Sequence, residues 1–143
     1  MKLIKTLALI IALSAGNLIS LASTFSSYVE DYRYDFSVID EDLESAPSWR
    51  SNEAYPPLSP RKADSAAREL LTRLVKEPER WKRINITLSQ IKDEEKWVYV
   101  IHFIGFHPPG VVDGPVPEMR VVVLMDGKPV VPDIVKLKRP DEE

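Results

Sequence analysis

The sequence predicts an α+β protein: one helix packed on an antiparallel sheet of three to four strands, preceded by an extended N-terminal arm. Three observations carry that expectation. Residues 96–106, KWVYVIHFIGF, are apolar at nearly every position, so both faces need cover, as in a central strand. Ala63, Ala66, Ala67, Leu70, Leu71 and Leu74 recur at three- and four-residue steps and form one helical stripe. Residues 23–58 are a different material, acidic and aromatic first and then Ser/Pro-rich.

The chain opens on a targeting pattern. Lys2 and Lys5 form a basic start, residues 3–15 are mostly apolar, and Ser20-Leu21-Ala22 puts small residues where a signal peptidase needs them. The expectation is cleavage after Ala22 and a secreted or periplasmic product. The plan is then a signal peptide (1–22), an arm and linker (23–58), an α+β domain (59–138) and a charged tail (139–143). No later segment is long and apolar enough to span a bilayer. The formal charge is −3, and losing Lys2 and Lys5 takes the mature chain to about −5. That sign disfavours a nucleic-acid partner, whose phosphates need a basic patch. The chain has no Cys, which excludes disulfides, thiol catalysis, thiolate zinc and iron–sulfur ligation.

In the arm, Tyr32, Tyr34, Phe36 and Val38 alternate with Arg33, Asp35 and Ser37, the period of a strand. Residues 40–58 run from Asp40, Glu41, Asp42 and Glu44 into Pro47, Pro56 and Pro57, and read as a linker that stays extended. Ser59-Pro60 then opens the helix, because Ser is a favoured N-cap and Pro lacks only an N–H that has no helical partner at the first position. Asp64–Arg68 and Glu69–Arg73 are i,i+4 pairs on its wet side, and Pro78 ends it near Lys76 or Glu77. Ile84, Ile86 and Leu88 alternate with Asn85, Thr87 and Ser89 in a strand with one buried face. The polar residues 92–95 turn the chain into the central strand. A Pro- and Gly-rich loop follows to Pro117; loops of that length are often functional. Residues 119–125 form a third strand, and Asp126-Gly127 is a strong hairpin signal. Residues 128–131 would return as an edge strand, extended by Ile134, Val135 and Leu137.

One helix, three antiparallel strands, the WVYVIHF central strand and the hairpin Asp126-Gly127-Lys128-Pro129-Val130 together resemble a PepSY-like module and are similar to half of the wider cystatin-like group. The resemblance covers about 75 residues and implies inhibition or regulation of secreted proteases, with no catalytic residue to carry over.

No chemistry-bearing constellation stands out. His102 and His107 are the only histidines, and at i,i+5 on a strand they point to opposite faces, so they make no metal clip. Asp113 with Glu118 reads as solvated loop charge, and Asp40-Glu41-Asp42 lacks the Gly and the terminal Glu of a calcium loop. Asn85-Ile86-Thr87 matches a glycosylation sequon inside a strand. Trp97, Tyr99, Ile101 and Phe103 share the face that the small helix residues suit, so they read as core, with Phe103 against Leu70 and Leu74. The other face brings His102 beside Asn85, Thr87 and Arg120, the candidate binding surface. Tyr32, Tyr34 and Phe36 of the arm are candidate partner contacts, since an extended aromatic segment can add to another protein. The expected function is a non-catalytic binding module for a protein partner, inhibitory or regulatory, without cofactor or metal. The alternative is an assembly component of an envelope complex held through its arm.

Overall fold

The computed structural model describes residues 20–111 and 114–139, so residues 1–19 of the expected signal peptide, Val112, Asp113 and the last four residues lie outside it. Six strands form two antiparallel three-stranded sheets. Sheet I has the order β1-β2-β6, with β1 Leu21–Val29, β2 Tyr32–Ile39 and β6 Asp133–Lys136. Sheet II has the order β3-β4-β5, with β3 Trp81–Gln90, β4 Trp97–Gly105 and β5 Glu118–Leu124. Two α-helices, α1 Asp40–Ser45 and α2 Pro60–Leu74, and one 3-10 turn, Pro78–Arg80, complete the described fold.

This corrects the expectation of one helix on one sheet with a free arm. The arm is itself a hairpin. β1 pairs with β2 from Leu21↔Ile39 to Val29↔Tyr32, and β6 closes the far side of β2 from Tyr32↔Lys136 to Asp35↔Asp133. Tyr34, Phe36 and Val38 share one face by the strand alternation and are buried in the same cluster as Val98, Tyr99 and Val122 of sheet II. The Ser27 hydroxyl accepts the Arg120 amide at 2.8 Å and so ties β1 to the outer edge of β5. Of the residues expected to await a partner, Tyr34 and Phe36 are instead buried in the core, whereas Tyr32 stays exposed.

The linker is also more structured than expected. Asp40, Glu41 and Asp42 occupy the first turn of α1, where acidic side chains complement the helix dipole. The Asp42 carboxylate accepts the Ile39 amide at 3.3 Å, and Leu43 is buried. The Lys96 ammonium donates to the Leu43 carbonyl at 2.8 Å and fastens α1 to the β3–β4 turn. Lys92, in the same turn, lies 2.8 Å from Asp40 Oδ1 off the hydrogen-bond direction, an ion pair rather than a hydrogen bond. Further along, the Trp49 amide donates to the Glu95 carbonyl at 2.9 Å, and its ring meets Trp97 edge-on at 5.3 Å.

Helix α2 starts as its sequence dictates. Ser59 Oγ accepts the Lys62 amide at 3.3 Å, and Pro60 takes the first helical position. It buries Ala63, Ala67, Leu70 and Leu71. It stops at Leu74, earlier than Pro78 alone requires, because Val75 is extended and packs against the core while Glu77 adopts φ 52. β4 is the middle strand of sheet II, as two apolar faces require. After Gly127 (φ 87) the return segment makes only a bridge, Val123↔Pro129. Pro129 and Pro132 cannot donate to a ladder. β6 therefore does not extend that hairpin but crosses to β2 in sheet I.

Candidate functional site

The strand register brings four of the expected site residues together. Asn85 stands opposite His102, and His102 opposite Arg120, so β3, β4 and β5 each contribute one member of a polar row. Thr87 lies in the next row, opposite Val100. Phe25 of β1 joins these residues and Ser89 around a shallow depression of about 260 Å³. His102 Nε2 is 3.4 Å from Glu118 Oε2, but the geometry makes no hydrogen bond, and the nitrogen is buried without a partner. The depression is smaller than a small-molecule pocket of roughly 300–1,000 Å³. It is a polar patch on a sheet face rather than an enclosing cavity.

The remaining expected contacts separate. Phe36 is fully buried, and Tyr34, 7 % exposed, shows only its edge to a second and larger concavity. Tyr32 is 39 % exposed and belongs to the same concavity.

That groove has a volume of about 990 Å³. The β1–β2 tip supplies one part of its lining through Tyr28, Val29, Glu30 and Tyr32. Phe106, His107 and Pro108, with residues 114–117 of the Pro-rich loop, supply another, and the end of α2 with Lys76 and Glu77 supplies the rest. Trp81 and Gly105 lie between these parts, and Gly105 matters by what it lacks. A Cβ there would fall 2.9 Å from both Pro117 Cγ and Trp81 Cε2, so only glycine lets the indole and the proline close over the strand. Tyr28 (58 %), Phe106 (47 %) and Val116 (49 %) leave large apolar surface uncovered around this concavity. The Lys82 ammonium sits 5.1 Å from the Phe106 ring centroid, a cation–π contact. The charged lining is balanced, with Glu30, Glu77 and Glu118 against Lys76, Arg80 and Arg120.

Burial, with Glu30 nearby, pushes the Tyr34 phenol above its ordinary range, so it stays protonated near neutrality and donates to the Leu74 carbonyl at 3.5 Å. Among the described residues no three His, Asp or Glu side chains gather as a metal site. Tyr28, Phe106 and Val116 were not singled out from the sequence. The available signal was the length of the loop that follows Phe106, which marked the region without naming its residues. No family model, curated protein or solved structure matches this chain, and the PepSY-like resemblance rests on its helix, central strand and Asp-Gly hairpin alone.

Proposed function

We propose that the protein is an exported, non-catalytic binding module that holds an extended, uncharged apolar segment of a partner protein in the groove between the β1–β2 tip and the Pro-rich loop. The observation that carries this reading is the gathering of Tyr28, Tyr32, Phe106 and Val116, all exposed, around one concavity. Aromatic-lined grooves suit extended segments, because rings give large contact area with few rotatable bonds to freeze. The three acidic and three basic side chains of the lining select neither a polyanion nor a polycation. At about 990 Å³ the groove sits at the upper limit for small-molecule pockets, which favours a chain segment over a compact metabolite. Export is supported by Lys2, Lys5, the apolar run and Ser20-Leu21-Ala22.

The test is an NMR titration with short peptides of aliphatic, proline-rich, acidic and basic composition. The uncharged apolar peptides should shift Tyr28, Tyr32, Phe106 and the Trp81 indole. Tyr28→Ser with Phe106→Ser should abolish the shifts and leave the melting temperature in place. Binding only to charged peptides, or shifts confined to the Asn85–His102–Arg120 row, would overturn the reading.

A further inference from the structure

The outer edge of β3 is an unguarded seam. The Ile91 amide donates to the Lys96 carbonyl at 2.7 Å, and the register alternates from there. Asn85, Thr87 and Ser89 therefore turn their backbone groups toward β4, while Ile86, Leu88 and Gln90 turn theirs outward. β3 is an end strand of its sheet, and among the described residues no backbone or side-chain group bonds to those outward positions. Exposed edges are commonly blunted by charge or proline. β6 is blunted in this way, by Asp133, Lys136 and the neighbouring Pro132. β3 is not: residues 84–91, INITLSQI, carry neither a charge nor a proline, and Ile84 is 49 % exposed.

We propose that this edge pairs with the same edge of a second copy, antiparallel across a twofold axis, joining two three-stranded sheets into one of six strands. The strand is chemically self-complementary in that orientation and no other. A perpendicular twofold places residues of like parity opposite one another, so Ile86 and Leu88 meet apolar neighbours and Thr87 and Ser89 meet hydroxyls. The ends match by charge. Lys82, over the Phe106 ring, and Arg83, paired with Asp64 at 2.8 Å, stand at the start of β3, and Asp93, Glu94 and Glu95 follow its end. The basic residues around that turn are engaged elsewhere, Lys92 with Asp40 and Lys96 with the Leu43 carbonyl. An antiparallel copy brings each basic start beside the other's acidic turn, whereas a parallel copy would set like against like.

Sedimentation equilibrium and amide exchange test the seam. The purified protein should be a dimer at about 100 μM, dissociating on dilution, with the Ile86, Leu88 and Gln90 amides protected in the dimer alone. Thr87→Lys puts two ammonium groups at the centre and should give a monomer with an unchanged far-UV spectrum. Lys82→Glu should weaken the dimer at least tenfold, and adding Glu94→Lys in the same chain should restore it. Those positions flank a strand roughly 33 Å long, so restoration requires another copy. A monomer at that concentration, a dimer indifferent to Thr87→Lys, or a charge swap without rescue each overturns the proposal.

Discussion

Gly105 and Phe103 are two residues apart on β4 and answer to different constraints. Phe103 is fully buried, with the Arg68 guanidinium 5.5 Å from its ring centroid. Phe103→Ala should cost about 3–5 kcal/mol through lost burial and a residual cavity, seen as a large fall in denaturant midpoint. Gly105→Ala adds a methyl where Trp81 and Pro117 leave no room, and overpacking of that kind should cost about 1–3 kcal/mol. The melting temperature should fall and the Trp81 emission should shift. The burial of Phe103 was readable from strand alternation alone. The need for Gly105 was not, because the groups that crowd it come from two other segments of the chain. Three carboxyls contribute to stability against acid. Arg139 holds Asp31 below the usual range, Ser26 and then Arg33 hold Asp35 there, and Lys92 holds Asp40 there. A depressed folded pKa gives stability that is complete above the unfolded value of about 3.9 and lost as pH falls through the folded one. The melting temperature should therefore hold from neutrality to about pH 4 and fall below it; Asp40→Asn should flatten the fall.

At the scale of elements, legibility followed apolar density. β3, β4, β5 and α2 each announce themselves by a dense stripe or run. β1 does not: its inward positions are Phe25, Ser27 and Val29, and the buried Ser27 earns its place by accepting an amide of β5 rather than by hydrophobicity. α1 was hidden because one buried Leu43 in an acidic stretch has no period to detect. β6 was legible as a strand but not as a partner of β2, since pairing across the length of a chain leaves no local trace. Removing residues before Ala54 would strip Phe36, Val38 and Leu43 from the core, each worth roughly 1.5–3 kcal/mol. That sum rivals the 5–15 kcal/mol of a typical domain, so the truncated chain should lose cooperative melting by circular dichroism. Ending the chain at Pro132 should lower the melting temperature far less, because all four β6 residues are exposed.

For the whole molecule, the proposed cleavage after Ala22 falls inside β1. The β1–β2 register is irregular between Leu21 and Ser23, and the regular ladder begins at Ser23↔Val38. Cleavage there would cost the Leu21 pairing, the bond from the Asp40 amide to the Ser20 carbonyl, the Ser20 side-chain contact with Asp40 and the packing of Ala22 against the core. Chains beginning at Ser20 and at Ser23 should melt within a few degrees of one another, by the roughly 0.5–1.5 kcal/mol net value of a hydrogen bond. The strand order of sheet I has a kinetic consequence as well. Ser27 meets Arg120 across 93 residues, and Asp31 meets Arg139 across 108. The first hairpin of the chain is finished only by its last segments, a topology of high contact order whose folding is slow. Synthesis from the N-terminus therefore leaves this polypeptide an open thread, its apolar face unpaired, until translation has nearly ended. The same delay leaves that face open to aggregation in a crowded compartment.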